Sequence, residues 1–267
     1  MLVIDDSSMK DIYRYGSEVN SHDLLKISAI TTMVIDHIGR FFLANNVWLR
    51  ILGRMAAPQF FFLVGYSGSY RFKRSILLYG LALWVVNYLV NPSTVTLEHI
   101  LPINILISFT LIKALLNKYD PLGVSSGALI ILLAVLMFLS LPTYLFIEYG
   151  TLGLCYAIGA RLLRQRHQFC RLWMCITIIV HFGFESTFML VGHPELSIWA
   201  LPLFYGLLAV VFIANLFIFL HYNFRIFNIE QKYVKTVAIY VSRYSLEIYF
   251  FHLSAFMIAS YVWNPVA

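Results

Sequence analysis

Nine apolar stretches, each long enough to cross a bilayer, constrain this sequence more than any other feature. A membrane-spanning helix needs about 20 mostly apolar residues. Hydrophobic residues make up 60% of the 267-residue chain and charged residues 12%, whereas a soluble domain is about half apolar and a quarter charged. The composition excludes an ordinary soluble enzyme, a disordered chain and a coiled coil. The predicted spans are 24–44, 50–70, 75–92, 97–117, 122–141, 143–162, 171–191, 196–221 and 237–263.

These stretches predict an all-α protein, a polytopic integral membrane helical bundle with about nine transmembrane helices and a range of about eight to ten. Residues 1–23 are polar and are predicted to form a cytoplasmic tail, followed by a single integral membrane domain over residues 24–267. The tail has no apolar signal region, so the first apolar stretch is expected to remain as an uncleaved span. The ninth stretch is long enough to tilt or to break.

The basic residues are concentrated on one predicted side of the membrane. Most of the 19 Lys and Arg residues lie on the N-terminal tail or follow the second, fourth, sixth and eighth spans. Lys and Arg are enriched on cytoplasmic loops, which predicts a multi-pass protein of the inner (cytoplasmic) membrane with its N-terminus in the cytoplasm. The same bias explains the net charge of +6, so no nucleic-acid partner is expected.

Two familiar signals carry little weight in this chain. Cys155, Cys170 and Cys175 form no CxxC pair, so neither a metal site nor a disulfide framework is expected, and they are interpreted as buried apolar residues. The segment from Gly123 to Gly127 matches GxSxG, but no strand precedes it. Ser125 is therefore interpreted as a helix cap and not as a nucleophile.

Ionisable residues inside the predicted spans give the strongest functional signal, because charged groups in lipid are costly and tend to be retained for function. At 1.5 Å per residue, His37 lies about 18 Å and His252 about 22 Å from the cytoplasmic edge of the membrane. Arg54 lies about one turn from the outer edge. These three residues are expected to share a layer in the outer half of the bilayer, close to Glu148.

Helical spacing predicts which of these side chains point the same way. Asp36 and Arg40 are four residues apart and lie on neighbouring faces. Asp36 and His37 are about 100° apart, so one is expected to face a cavity while the other contacts a neighbouring helix. Tyr249 and His252 share a further face of the ninth span.

Two other pairs have simpler interpretations. Arg243 and Glu247 are four residues apart in the ninth span and are able to form an ion pair. His181 and Glu185 in the seventh span are expected to be a separate pair that serves packing. A purely structural alternative remains open for the whole set, in which the charges only hold the spans together.

Five motifs, in chain order, resemble those of the TraX family, which is typified by the conjugative-plasmid protein that N-acetylates F pilin. The first is the apolar helix that ends in Asp-His-Ile, and the second matches Gly-Arg-x-Ala-x-Pro-x-Phe. The last matches Tyr-x-x-His-Leu and also resembles the acyltransferase-3 enzymes. Gln59 and Glu247 depart from the family pattern. The motifs occupy residues 25–40, 53–60, 104–109, 149–153 and 249–253.

The resemblance implies that an acyltransferase-like membrane domain moves an acetyl group from acetyl-CoA to an amine or hydroxyl. The implied acceptor is a pilin-like protein, a cell-surface glycan or a lipid. A histidine serves as base, a carboxylate orients it, and cationic donors stabilise the developing oxyanion. His252 is a second base or a covalent acetyl carrier. The implied catalytic residues are Asp36, His37 and His252, and the implied substrate-binding residues are Arg40, Arg54, Asn104, Tyr149 and Tyr249.

Two other classes of function stay open at this point. A proton-coupled transporter would use the intramembrane Asp, His and Glu groups as a relay and would show matched broken helices. A non-catalytic assembly factor would use the same charges only to fix helix packing. On the cytoplasmic face, the basic residues are expected to attract the anionic phosphates of CoA.

Overall fold

The computed structural model describes residues 18–43, 46–68, 74–90, 103–119 and 123–263, and the protein is about 80% helical. The helices are α1 (Ser21–Phe41), α2 (Val47–Gly53), α3 (Ala56–Tyr66), α4 (Arg74–Val90), α5 (Ile105–Lys118), α6 (Ser126–Tyr144), α7 (Gly150–Arg164), α8 (Cys170–Gly192), α9 (Leu201–Leu220), α10 (Lys232–Arg243) and α11 (Ser245–Trp263). Two short strands, β1 (Val19–Asn20) and β2 (Ile226–Phe227), pair in antiparallel fashion. The predicted all-α membrane character is confirmed.

The number of spans differs from the sequence prediction. In the described part of the chain, five helical segments are long and apolar enough to cross a membrane, and α4 is a shorter apolar helix. The count of about nine is therefore not confirmed. The five segments are Val47–Tyr66, Ser126–Tyr144, Cys170–Gly192, Leu201–Leu220 and Ser245–Trp263.

The sequence placed the beginning of the ninth span, 237–263, too early. The helix is interrupted at Tyr244, and of the two helices on either side only α11 has the length and composition of a span. The preceding helix, α10, is amphipathic, with Ala238 and Ser242 as its only buried residues. Its polar residues interrupt the apolar stretch, which explains why a window over 237–263 joined two different helices.

The centre of the bundle is formed by α3 and α7, which are buried along most of their lengths. A side chain at Gly65 would overlap the backbone carbonyl of Ala157, so the two helices approach as closely as their backbones allow. Phe61 and Phe62 of α3 are fully buried in this core. The helices α1, α6 and α8 pack around this pair, and α3 and α7 thereby fix the positions of their neighbours.

A small collar closes one end of the bundle. Val19 pairs with Phe227 in the two-stranded sheet, and the Ser21 backbone N–H donates to the Arg225 carbonyl at 2.9 Å. The Asn20 side chain caps α1 by accepting from the backbone N–H of Asp23. The collar joins the beginning of α1 to the segment after α9, and both contribute to the mouth of the cavity described below.

Smaller predictions are resolved by the same structure. Ser125 caps α6 by accepting from the Ala128 backbone N–H at 3.3 Å, as predicted. All three cysteines are free, and Cys155 and Cys170 are buried. Some predictions fall outside the described residues, namely most of the tail over 1–23, the beginnings of the spans at 97–117 and 122–141, and the ends of those at 24–44, 50–70 and 75–92.

Candidate active site

A cavity of about 1110 Å³ runs beside α1 through the described part of the bundle. Its lining extends from Asp23 in the first turn of α1 to Arg40 in the last turn. These residues are 17 positions apart, which corresponds to about 26 Å along the helix. The cavity therefore connects the collar end of the bundle with the layer in which the intramembrane charges lie, and we call that layer the inner end of the cavity.

His37 and His252, which the depth estimate placed in one layer, are in direct contact. The Nδ1 atom of His37 lies 2.7 Å from Nε2 of His252, and the rings are stacked with centroids 5.0 Å apart. The Nδ1 atom of His252 lies 2.7 Å from the Ile248 carbonyl oxygen. A carbonyl only accepts, so Nδ1–H of a neutral His252 is the donor and its Nε2 accepts from Nδ1–H of His37.

This chain of hydrogen bonds determines which ring nitrogen of the two histidines is left without a partner. Nε2 of His37 carries the free lone pair, with no hydrogen-bond partner in the described part of the chain. His37 lines the cavity, whereas His252 lies behind it, outside the cavity lining. His37 is therefore the histidine of the pair that lines the cavity with a free ring nitrogen, and the hydrogen bond to His252 orients its ring. The carboxylate that the sequence analysis assigned to this orienting role, Asp36, is not its hydrogen-bond partner.

Asp36 points to the other side of α1 and pairs with arginines of the second predicted span. Its Oδ1 accepts from Nη2 of Arg54 at 3.0 Å, and Nε of Arg50 lies 3.8 Å away. Nη1 of Arg54 donates to Glu185 at 3.2 Å. Arg54 is thus held between two carboxylates, and the expected partner of Asp36 within its own helix, Arg40, is replaced by a residue of another segment.

The His181–Glu185 pair is part of this network, so the expectation that it is separate is wrong. Nε2 of His181 lies 3.3 Å from Oε1 of Glu185, and the hydroxyl of Tyr156 lies 2.9 Å from its Nδ1. All three side chains are buried. A continuous polar chain therefore runs from Asp36 through Arg54 into α8 and α7.

Gly53 allows Asp36 to reach this network. A Cβ atom at position 53 would overlap Cβ of Asp36 and lie 2.6 Å from its Oδ1. The helices α1 and α2 are in contact at this point because position 53 has no side chain. The Gly-Arg dipeptide of the second motif thus combines a close approach at Gly53 with a cation at Arg54.

Arg40 and Arg243 both line the cavity, but the described part of the chain does not show the pairs with Asp36 and Glu247 that helical spacing suggested. Arg40 lines the cavity and its guanidinium sits 5.4 Å from the centroid of the Phe41 ring. Arg243 ends α10 while Glu247 is in the first turn of α11, so the helix break separates the predicted ion pair, although both residues line the cavity.

The structure does not bring Asn104, for which the resemblance implied substrate binding, to the cavity that the other implied substrate-binding residues line. Its Oδ1 accepts from the backbone N–H groups of Leu106 and Ile107, and its Nδ2 donates to the Gly80 carbonyl at 2.7 Å. Both ends of the amide are used by backbone, and Asn104 is outside the cavity lining. It caps α5 and ties this helix to α4.

Tyr149 and Tyr249, for which the resemblance implied substrate binding, both line the inner end of the cavity. The Tyr249 ring centroid lies 6.4 Å from that of His37. Tyr149 has a φ of 65°, which is uncommon for a bulky residue. Its ring is buried edge-on against His181 at 5.6 Å, and this packing holds the backbone in the left-handed region.

Sequence reasoning missed two residues of this region. Arg50 was not among the candidate site residues named from the sequence, but it lines the cavity and lies beside Asp36. The signal was its position four residues before Arg54, on the same helical face. Tyr144 also lines the cavity. Glu148, which was expected near the layer, lines the cavity and accepts from the Ile105 backbone N–H at 2.8 Å.

The mouth of the cavity, at the collar end, combines basic and aromatic side chains. The lysine and arginine residues are Lys26, Lys113, Arg164 and Arg166. The hydroxyl of Tyr222 lies 2.9 Å from Nδ1 of His22 in a hydrogen bond, and the rings of Tyr66 and Phe224 contact His22 edge-on. Burial, with the nearby positive charge of Lys26 adding to it, lowers the pKa of His22 to about 4, so this histidine is neutral at physiological pH. Burial raises the pKa of the Tyr222 hydroxyl, which therefore keeps its proton.

Comparison with known proteins agrees with the motifs. An uncharacterized protein of Rickettsia prowazekii (strain Madrid E), RP591, is 29% identical over 177 residues, which is 63% of this chain and 67% of that protein. No solved structure matches the chain. The family described as TraX protein matches residues 21–258, which include α1 and its Asp-His pair, the Arg54 network and His252. The chain therefore belongs to the TraX family.

Proposed function

We propose that this protein is an integral membrane acetyltransferase that uses acetyl-CoA as donor and a pilin-like N-terminus as acceptor. The observation that carries the proposal is the free Nε2 of His37 at the inner end of a cavity whose mouth is basic. Membership of the TraX family supports a pilin-modifying role. A surface glycan or a lipid hydroxyl is the alternative acceptor.

The cavity has the dimensions and charge that such a donor requires. Its volume of about 1110 Å³ slightly exceeds the range for ligand pockets, about 300–1,000 Å³. The phosphates of CoA carry several negative charges, and Lys26, Lys113, Arg164 and Arg166 at the mouth are suited to bind them. The extended arm of the donor would then reach along α1 toward His37.

The reaction is an acyl transfer in which His37 moves one proton. Nε2 of His37 takes the proton from the acceptor amine or hydroxyl as the acceptor attacks the thioester carbonyl. The tetrahedral intermediate collapses with cleavage of the C–S bond, and the CoA thiolate leaves with the proton returned by His37. His252 accepts from Nδ1–H of His37 throughout, which stabilises the transient imidazolium as the third group of a triad does.

Stabilisation of the developing oxyanion is assigned to the cationic side chains at the inner end of the cavity. Arg54 is held by Asp36 and Glu185, so its orientation is fixed before the substrate binds. Arg40 also lines this part of the cavity. Donors that are already oriented stabilise developing charge without reorganising during the reaction.

The first experiment is acetyl-CoA binding and hydrolysis by the detergent-purified protein. His37→Gln is expected to retain binding and lose about 10²- to 10⁴-fold in turnover, because it removes only the base. His252→Gln should lose less, since it removes an orienting group. His221→Gln is the matched control, because His221 is an exposed histidine outside the cavity lining. Near-normal turnover in both the His37 and His252 variants would refute this mechanism.

The acceptor needs a separate measurement. Incubating the protein and acetyl-CoA with a pilin peptide, a glycan extract or lipid, followed by mass spectrometry, should show acetylation at the pilin N-terminus. Acetylation confined to the glycan or lipid would retain the enzyme class and replace the acceptor.

The buried chain from Asp36 to Tyr156 is the observation that favours a proton-coupled transporter as the second candidate. A transporter predicts no saturable acetyl-CoA binding, but proton flux in proteoliposomes that Glu185→Gln abolishes. Saturable binding with turnover that depends on His37 would exclude this candidate as the principal activity.

A further inference from the structure

We infer that α10 lies in the lipid headgroup layer at the collar end of the protein, with an aromatic stripe directed into the membrane. The stripe consists of Tyr233, Val237, Tyr240 and Tyr244. Tyr244 directly follows the last residue of the helix. The inference concerns a surface and does not depend on the proposed acetyl transfer.

The stripe is one continuous face of the helix. Its residues are spaced by four, three and four positions, which places them within about 60° of one another around the helix axis. Tyr233 is 81% exposed, Tyr240 57% and Tyr244 46%. The rings of Tyr240 and Tyr244 stack with their centroids 5.8 Å apart. Aromatic surface of this extent on a single face is typical of an interaction site.

The opposite face of α10 is attached to the protein. Ser242 is buried, and its hydroxyl donates to Oδ1 of Asp23 in the first turn of α1. Nζ of Lys235 donates to Oε1 of Glu18 at 2.5 Å. Both attachments are to residues at or before the beginning of α1, and α1 is the helix that α10 contacts most, so α10 lies beside the beginning of α1 and its stripe points away from the protein.

The position of α10 along the bundle identifies the lipid surface as its partner. The candidate span α11 begins at Ser245, directly after Tyr244. The end of α10 is therefore at the boundary of the apolar layer, which is also where α1 begins. Tyr side chains are enriched at this boundary, because the ring favours the acyl region and the hydroxyl favours the headgroups.

The charges of α10 agree with an interfacial location. Lys232 and Arg243 lie within about 20° of each other around the helix axis, on the flank between the stripe and the attached face. An aromatic face with a cationic flank and low overall hydrophobicity is the pattern of helices that lie in the plane of the membrane. A spanning helix would be apolar on all sides, as α9 is.

The test uses the full-length protein in nanodiscs of phosphatidylcholine and phosphatidylglycerol. The three cysteines are replaced by Ala, and a nitroxide is attached to a single cysteine introduced by Tyr233→Cys, Tyr240→Cys or Tyr244→Cys. Collision rates with oxygen, which partitions into lipid, and with a water-soluble nickel complex are measured by electron paramagnetic resonance. Phe138, which is 82% exposed on α6, provides the lipid control, and the exposed Glu230 provides the aqueous control.

Oxygen collisions exceeding nickel collisions at all three positions, as at Phe138, would support the inference. Nickel collisions equal to those at Glu230 would overturn it, because the stripe would then face water. Spin–spin broadening that disappears on dilution with unlabelled protein would also overturn it and would identify a second copy as the partner. If the cysteine-free chain does not fold, a photo-crosslinking amino acid at position 240 of the natural chain distinguishes the same outcomes by forming lipid or protein adducts.

Discussion

Asp36 and His37 are adjacent in α1 but belong to two different polar regions of the bundle. Asp36 contacts Arg54 and Arg50, and Arg54 also contacts Glu185, so the two carboxylates and the two guanidinium groups neutralise one another. His37 contacts His252 and then a backbone carbonyl, so its chain contains no formal charge and ends in a free lone pair. The first region is saturated in charge, so it holds helices together and fixes the orientation of Arg54, whereas the second retains one free lone pair.

The largest effect is expected from Arg54→Ala, which breaks the saturated region. The change leaves Asp36 and Glu185 without their shared cation, and removing one partner of a buried ion pair costs about 3–5 kcal/mol. The variant should accumulate poorly in membranes and melt at lower temperature. A triple change, Asp36→Asn with Arg54→Met and Glu185→Gln, should restore much of the melting temperature because the two carboxylates and their shared cation are removed together. Normal stability of Arg54→Ala would contradict the structural role of the network.

The reactive region should respond in the opposite way. His37→Gln is expected to lose about 10²- to 10⁴-fold in turnover while its melting temperature stays close to that of the wild type. A side-by-side measurement of turnover and thermal unfolding in detergent checks this. If His37→Gln were as unstable as Arg54→Ala, the distinction between the two regions would not hold.

His22 is a third neutral histidine, and its lowered pKa makes the stability of the protein depend on pH. Its pKa in the folded protein is about 4, against an ordinary value of 6.5. Above about pH 6.5 it is neutral in both states and has no effect on stability. Between pH 6.5 and 4 only the unfolded chain binds the proton, so the protein loses about 3 kcal/mol of stability as the pH is lowered. Melting temperatures from pH 7.5 to 4.5 should fall less steeply in His22→Gln. Equal slopes in the two proteins would contradict the assignment.

The smallest effect is expected from Asn104→Ala, which belongs to neither region. Loss of the cap on α5 should cost about 0.5–2 kcal/mol. The KM for acetyl-CoA should remain unchanged, because Asn104 is outside the cavity lining. A raised KM with normal stability would instead restore the substrate-binding role that the motif implied.

Local sequence information predicted which residues lie at the same depth, but not which of them are in contact. His37 and His252 were placed at similar depths by counting residues, and the structure brings their rings together. The link between Arg54 and Glu185 was not predictable in this way, because it depends on which helices are neighbours. The role of Asn104 was present in the sequence as an Asn before an apolar helix, which is a typical N-cap. Its place in a family motif favoured the substrate role instead.

The break before α11 shows a different limit. A window over residues 237–263 averages an amphipathic helix with an apolar one, and the average resembles a single long span. The separate signals were the cations at Lys232, Lys235 and Arg243, which recur on one side of the first segment. Helical phase, and not mean hydropathy, distinguishes the two segments.

The contact between Gly53 and Asp36 also limits how this sequence is able to vary. Any side chain at position 53 overlaps Cβ of Asp36, and Cβ is present in every residue except glycine. Replacing Asp36 by a smaller residue that keeps its Cβ would therefore not make Gly53→Ala acceptable. Only glycine at position 36 would remove the overlap. At Gly183 and Gly206 the methyl group of an alanine would meet no atom within 4 Å, so both positions should accept alanine. In a saturation library, position 53 should thus tolerate no replacement while these other helical glycines do, and the Gly-Arg dipeptide should persist even where the chemistry of the cavity changes.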